Sequence, residues 1–464
     1  MDWLDETRFA DIHTFAYSGV RFDPETGVAE FDFVHEGSAQ RLCFTEVIEF
    51  PLPDHGLDQA VLDRFVPVLE LLYVAVGTVY YKTVAPPQVT VRSVPLAPAA
   101  ARWAEQLYRQ GLAEFAYRWT LAHVLDLPVH ADHRVPAPHV DDHRVSGRAP
   151  LVAMGGGRDS IVALEALRNT GMDPATFTVT REPTVVGGAT PAEGAGPALS
   201  IRRRPDPLMT RMLAENALRI GHVPVTAINS LAGVALSVLH GLGPTVLANE
   251  RSAEEGNTMW RGRQVNHQWS KTLAAEQLLA EAVREHAGIN TACFSLLRGM
   301  SELAISRLFA ATTSYDGLVT SCNVAVRQKS PRRWCNDCAK CRFVFLALAP
   351  FMDTTRLVGI FGHNLLADPS QLDGYRELVG LGDHKPFECV GELAEARVAF
   401  EMLVDDHQWR DVAVVAGLTS RLPPVPGSAT TQVWRIDPAH GAPLAYRQAL
   451  ERWSESANAA QGGS

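Results

Sequence analysis

Two hydrophobic periods divide the chain. Up to Ser146, short runs alternate apolar and polar residues: Val20 to Phe22, Val28 to Phe33, and Leu42 to Ile48. Period-two alternation marks half-buried strands, and Asp23-Pro24-Glu25-Thr26-Gly27 is a turn between the first two. Val61, Phe65, Leu69 and Leu72 share one helical face, which predicts a helix from Leu57 to about Val76. A second helix is expected from Ala99 to Leu125. Between them Val79-Tyr80-Tyr81-Lys82 reads as a strand, whose tyrosines and Lys82 either pack or face a ligand. Residues 1–146 are therefore expected to form an α+β domain. The stretch from Pro128 to Pro150 is polar and proline-broken, so it reads as a linker. Its His130, His133, His139 and His143 read as solvated rather than as metal ligands.

From Pro150 the pattern becomes strand-helix alternation. Leu151 to Met154, Thr176 to Thr180, Val223 to Ile228 and Thr245 to Ala248 read as short strands. The intervening helices begin near Asp159, at Leu208 (to Ile220) and after Ile228 (to His240). Thr184 to Pro197 is a Gly/Ala/Pro-rich loop, a candidate lid, and Arg202 to Arg204 follow it. Such alternation predicts an α/β fold with a parallel sheet over residues 147–350. Ligands of open sheets sit beyond the carboxyl ends of the strands. Residues 351–464 read as a mostly helical extension, broken at Leu422 to Pro426, with a candidate site loop at Gly362-His363-Asn364 and a disordered tail from Asn458.

One stretch organises the α/β part. Leu151 to Met154 lead into Gly155-Gly156-Gly157-Arg158-Asp159-Ser160 and then a helix. A glycine turn between strand and helix aims free backbone N–H groups and the positive end of a helix at one point, which suits a phosphate. No Gly-Lys-Ser/Thr follows, so this is not a Walker loop, and the third spaced glycine of a dinucleotide fingerprint is absent. An ordinary strand-to-helix turn is the plain alternative. Asn249-Glu250-Arg251-Ser252, with Gly256-Asn257, follows the strand at Thr245 and falls at the same sheet edge. Asn266-His267-Gln268-Trp269-Ser270-Lys271 is expected to open a long helix to about His286. It either caps that helix or holds an acidic group.

Cys335, Cys338 and Cys341 stand at three-residue spacing, with Cys322 the best fourth ligand. Four thiolates would close a structural zinc site. An iron–sulfur cluster or three metal-free thiols are the alternatives. Arg327, Lys329, Arg332, Arg333, Lys340 and Arg342 form a basic rim around them.

Composition narrows the classes. The 464 residues suit two or three domains. A net charge of -10 argues against a general nucleic-acid binder. No apolar run is long enough for a bilayer, the acidic N-terminus lacks a signal-peptide core, and few, bunched cysteines fit a reducing cytoplasm.

The glycine run resembles the Ser-Gly-Gly-x-Asp-Ser loop of the PP-loop ATP pyrophosphatases, with Gly155 in place of the first Ser. Ser321-Cys322 followed by Cys335, Cys338 and Cys341 is similar to the 7-cyano-7-deazaguanine synthases, which lack a region like residues 1–146. The whole ordered set is the glycine loop, Asn249 to Asn257, His267 to Lys271, the cysteines, and Tyr80-Tyr81-Lys82-Thr83. Together it resembles the UDP-N-acetylmuramoyl-L-alanyl-L-glutamate epimerases, the MurL family. That resemblance implies ATP-dependent inversion of the terminal L-Glu of UDP-MurNAc-L-Ala-L-Glu through an acyl-adenylate, with release of AMP and pyrophosphate. It implies ATP and Mg²⁺ at Gly155, Gly156, Gly157, Arg158, Asp159 and Ser160, with Asp159 near the metal. Asn249, Arg251, Lys271 and Lys82 would hold substrate, and Glu250 and His267 would move the proton. Cys322, Cys335, Cys338 and Cys341 would hold zinc. The expected partner is that small molecule in the cytoplasm, with neither nucleic acid nor membrane. Another PP-loop adenylating enzyme, forming a nitrile or thiolating tRNA, and a nucleotide sensor without turnover are the competing classes.

Overall fold

A computed structural model describes residues 6–138, 148–181, 196–290, 292–327, 330, 332–382, 388 and 390–461. Twelve strands are described: β1 Ile12–Asp23, β2 Val28–Gly37, β3 Arg41–Glu49, β4 Gln88–Leu96, β5 Val129–His133, β6 Leu151–Ala153, β7 Ala175–Thr180, β8 Ala198–Arg204, β9 Thr245–Leu247, β10 Thr258–Trp260, β11 Arg263–Val265 and β12 Cys293–Ser295. Ten of them form one sheet in the order β12-β9-β6-β7-β8-β3-β2-β1-β4-β5, while β10 and β11 make a separate hairpin. Strands β12, β9, β6, β7 and β8 run parallel. Most pairings in the sheet are parallel, as strand-helix alternation dictates.

The N-terminal meander and the parallel strands are thus one continuous sheet. They join at β3 and β8, which pair antiparallel with Val47 opposite Arg204 and Glu49 opposite Arg202. The arginine run seals this joint. Arg203 meets buried Glu46 at 2.5 Å, and Arg204 and Arg202 meet Glu49 at 2.5 and 3.5 Å.

The helices used below are α1 Gln59–Tyr81, α2 Pro98–Arg109, α3 Ala113–Trp119, α4 Arg158–Arg168, α5 Pro207–Ala214, α6 Val225–His240, α7 Leu273–Ala287, α8 Glu302–Ala310, α9 Asn323–Arg327 and α10 Ala339–Leu348. Further helices lie between Thr354 and Gln461. Two hydrophobic cores result. One joins the meander, α1, α2 and α6, with Phe15, Phe33, Leu72, Trp103 and Leu231 fully buried. The other packs α4, α8 and α10 against the C-terminal helices, through Ile161, Leu303, Phe345, Phe400 and Trp409.

Several sequence expectations give way here. Val79 to Lys82 is not a strand: α1 continues to Tyr81, because Tyr80 and Tyr81 complete its buried face. Gly77 within it lets β1 approach, since a Cβ there would sit 2.1 Å from the Tyr17 hydroxyl. The helix expected over Ala99 to Leu125 is two, ended by Thr120 in left-handed geometry, with a further 3-10 turn at Ala122–Asp126. Val223 to Ile228 is the entry to α6, not a strand. The helix from Leu208 stops at Ala214, and Asn216 turns the chain with positive φ. The expected linker carries the edge strand β5, on which His130 and His133 are exposed; His139 and His143 lie outside the described residues. The lid expected at Thr184 to Pro197 lies almost wholly outside them as well. The last helix runs Leu444–Gln461, through part of the tail expected to be disordered.

Candidate active site

The glycine loop lies at the carboxyl end of β6, tied to β7 by Met154 N–H donating to Phe177 O at 2.8 Å. Gly156 has φ +80°, which an L side chain rarely adopts. Gly157 is the N-cap of α4 and offers no side-chain acceptor to the first turn. The opening N–H groups of α4 are therefore available to an anion. A Cβ on Gly155 would meet nothing within 4 Å. Thr320 N–H donates to Gly156 O at 2.9 Å, and Ser321 packs against Gly157. The segment leading to Cys322 is thus one wall of the loop.

Ser160 turns its hydroxyl back to Gly157 O at 2.9 Å. Arg158 points inward. It is 2 % exposed, pairs with Glu302, donates to Ser306 Oγ at 2.5 Å, and lies over the Phe343 ring. Its Nε also reaches Asp159 Oδ1 at 3.1 Å. Its guanidinium therefore positions Asp159 and fastens α4 to α8 and α10. Burial pushes the Asp159 carboxyl pKa upward, but Arg158, Lys340 and Lys271 outweigh it and hold it below the ordinary value. Asp159 is thus anionic at neutral pH.

A second wall comes from the segment after β9. Asn249 Nδ2 donates to Ser295 Oγ at 2.8 Å. Glu250 is 1 % exposed, accepts from Ser252 Oγ at 3.3 Å, and lies 3.8 Å from Lys271 Nζ. Arg298, also buried, donates to Glu250 O and pairs with Glu276 beneath the loop. Arg251 turns away from the loop. It pairs with Glu392 at 3.1 Å and donates to the carbonyls of Gln432 and Arg435, pinning C-terminal helices to this edge.

The third wall is the segment after β11. It does not open a helix directly. His267 to Lys271 pass through a 3-10 turn, and α7 starts at Leu273 with Thr272 as its cap. Lys271 acts electrostatically on Asp159 and on His222, besides its contact with Glu250. His267 N–H donates to Asn257 Oδ1 at 2.8 Å, and its Nδ1 meets the Glu114 carboxylate. His222 lies against it, ring centroids 4.2 Å apart. Burial, and then the charge of His267, push His222 down to about 3. Lys82, at the end of α1, donates to Gly221 O at 2.7 Å; burial and Arg181 lower it to about 8.

The four cysteines converge. Sγ separations are 4.0 Å for Cys322–Cys338, 3.7 Å for Cys335–Cys341 and 3.5 Å for Cys338–Cys341. A tetrahedral site with Zn–S bonds of about 2.3 Å has edges of about 3.8 Å. Backbone N–H groups of Ala325 and Cys335 donate to Cys322 Sγ, and that of Cys341 to Cys338 Sγ, as thiolate ligands require. Hydrogen bonding from Cys341 draws the Cys338 thiol down to about 5. In the basic rim, Arg333 donates to Asp316 O, Arg342 bonds Gln371 and Asp337, and Lys340 pairs with Glu302. Lys329 lies outside the described residues. The loop at Gly362-His363-Asn364 is a capping turn: Gly362 ends a helix with φ +76°, and Asn364 Oδ1 accepts from Leu366 and Ala367 N–H.

Comparison with known proteins decides the family. The MurL N-terminal domain model matches residues 6–296, and the MurL C-terminal domain model matches residues 318–433. The chain belongs to the MurL family. Two curated MurL relatives are 48% identical: one from Salinispora tropica, over 96% of this chain and 97% of its own, and one from a Micromonospora species, over 95% and 98%. A third, from Xanthomonas oryzae pv. oryzae, is 39% identical over 87% of this chain and 88% of its own. Each bears the name UDP-N-acetyl-alpha-D-muramoyl-L-alanyl-L-glutamate epimerase. No solved structure matches the chain.

Within this MurL chain, Glu114, His222, Glu302 and Arg298 are the site residues that the sequence hid. Glu114 falls within the helix expected over Ala99 to Leu125, and His222 between the helix expected to end at Ile220 and the strand expected from Val223. Neither has a motif around it; only the topology brings them to His267. Among the described residues, no helix is long and apolar enough to cross a membrane.

Proposed function

We propose that this MurL chain inverts the terminal L-Glu of UDP-MurNAc-L-Ala-L-Glu to D-Glu, with ATP, through an acyl-adenylate. The carrying observation is the glycine loop, with its uncapped helix start and ionised Asp159, at the same sheet edge as buried Glu250, which lies 3.8 Å from Lys271. The names of the relatives support the substrate, and the uncapped glycine loop with its PP-loop sequence supports the nucleotide. An anionic carboxylate beside a phosphate cradle is repulsive unless a cation joins them. Asp159 is the residue that would hold Mg²⁺, which neutralises phosphate charge when bound.

The chemistry needs an activated acyl group. A Cα–H beside a carboxylate resists deprotonation, because the carbanion would adjoin an anion. Attack of that carboxylate on the ATP α-phosphorus forms the acyl-phosphate bond and breaks the α–β bond, releasing pyrophosphate toward Gly155, Gly156 and Gly157. The Cα proton then passes to a base while its electron pair moves into the acyl carbonyl, and an acid returns a proton to the opposite face. His267 and Glu250 are assigned to these two tasks, with Lys271 and Asn249 against the acyl end. Hydrolysis of the adenylate frees AMP and the D-Glu product. Residues 1–146 supply Glu114 and Lys82 and so bear on the muramoyl substrate. We assign the reaction to the cytoplasm, where such a soluble precursor and ATP meet.

In an assay with UDP-MurNAc-L-Ala-L-Glu, ATP and Mg²⁺, AMP and pyrophosphate are expected in step with D-Glu product; absence of AMP would refute the reading. The cysteine cluster is assigned a structural zinc ion, closed by four thiolates and set behind the glycine loop through Thr320 and Ser321. Elemental analysis should give one zinc per chain, and Cys338→Ser should lose most of it. Unchanged zinc in that variant would remove these cysteines as ligands.

A further inference from the structure

Glu114 and His222 belong to no motif, yet they surround His267 on two sides. We propose that Glu114, His222 and His267 form one proton-transfer centre, in which His267 takes the Cα proton of the activated glutamyl group and Glu114 and His222 position it. This rests on the epimerase reading above.

The geometry carries the assignment. Glu114 is 3 % exposed, and its carboxylate spans His267 Nδ1 and Arg118 Nε, the latter at 2.5 Å. A buried carboxylate against Nδ1 fixes an Nδ1–H donor and leaves Nε2 as the accepting nitrogen. Asn257 fixes the backbone of the same residue. His222 lies against the imidazole from a separate segment of the chain and so restrains the ring on that side. His267 is 17 % exposed at its side chain and His222 is likewise only partly buried, whereas Glu114 is shut away from solvent.

The three residues also have the donor atoms of a metal site, all within 4.8 Å of one another. Their surroundings oppose a dication. Arg118 from α3 contacts Glu114, and Lys82 from the end of α1 and Lys271 from the β11 segment both act on His222. Three cationic side chains around the cluster favour an anionic substrate. When His267 gains the Cα proton, its new charge lies directly against Glu114. The step is balanced. The Cα–H bond breaks, its electron pair moves into the acyl carbonyl to give an enolate, and the proton forms an N–H bond at Nε2.

The test separates this centre from the activation step. With UDP-MurNAc-L-Ala-L-Glu, ATP and Mg²⁺ in deuterated water, wild-type enzyme should exchange labelled pyrophosphate into ATP and place deuterium at glutamate Cα. If wild type fails both, the epimerase reading fails and this centre falls with it. His267→Asn should retain the pyrophosphate exchange within a few-fold, while Cα deuterium falls about 10²–10⁴-fold. Glu114→Gln should lower kcat for Cα exchange about 10–100-fold with little change in KM. It should also move the rising limb of the kcat pH profile to lower pH, because His267 loses the anion that favours its protonated form. Undiminished deuterium in His267→Asn, beside a wild type that does both, would overturn the centre alone. So would a Glu114→Gln enzyme with wild-type kcat and pH profile. A second equivalent of tightly held metal, lost in His222→Ala, would assign the cluster to a cation instead.

Discussion

Replacing Asp159 with Asn should slow AMP formation by about 10²–10³-fold, the loss typical when one preorganised charge is removed from a reacting phosphoryl group. The effect follows from charge rather than shape. Asn has nearly the same volume and can keep the contact with Arg158, so the loop should retain its path. What disappears is the anion that Arg158, Lys340 and Lys271 hold ionised. Without it the surroundings of the loop become more positive, and the accompanying Mg²⁺ loses its ligand. ATP should therefore still bind, drawn by the excess positive charge, but in a geometry poor for attack on the α-phosphorus. Pyrophosphate exchange and AMP release should fall together, while the denaturation midpoint stays close to wild type. An Asp159→Asn enzyme turning over within about threefold of wild type would take the loop carboxylate out of the reaction, since a single acid–base or electrostatic contact is worth at least about 10²-fold.

The largest stability effect is expected at Glu302. This residue is fully buried and is shared by Arg158 and Lys340, the second at 3.4 Å. Glu302→Ala leaves two cations in the core with only Asp159 between them, and breaking a buried pair in this way costs about 3–5 kcal/mol. Urea unfolding should show the midpoint falling with little change in slope. Replacing both charges with apolar residues, as Arg158→Met with Glu302→Leu, should recover part of that loss, because packed hydrophobic groups substitute well for a buried ion pair. Activity should not return with stability, since Asp159 then has no guanidinium to aim it. A double variant that is fully active would show that Arg158 serves the fold alone. If Glu302→Ala unfolds at the wild-type midpoint, the pair contributes nothing measurable.

The strands of the meander were legible because they alternate with period two, and the glycine loop and cysteines because they are local in sequence. The misread segments share a cause. Val79 to Lys82 and Val223 to Ile228 are rich in β-branched and aromatic residues, which favour strands intrinsically. Both lie in helices because packing overrides that preference: Tyr80 and Tyr81 fill the core between α1 and the meander, and Ile228 faces the same core from α6. Motif reading placed Arg158 with the nucleotide and Arg251 with the substrate, whereas the structure shows Arg158 paired with buried Glu302 and Arg251 with Glu392, contacts that depend on distant parts of the chain. Glu114 and His222 were invisible because the chain returns to His267 over distances that no periodicity encodes.

The antiparallel joint between β3 and β8 has a consequence for how the molecule is made. Glu46 and Arg203, which seal it, are 157 residues apart in sequence. As the chain emerges during synthesis, the meander can assemble early, yet β3 remains an unpaired edge until β8 arrives, and such an edge invites pairing with another chain. Two acidic side chains guard it meanwhile, Glu46 and Glu49, which repel a second copy of the same strand and accept the three arginines of β8. The charge pattern that fastens the finished sheet is thus also a safeguard for the nascent one.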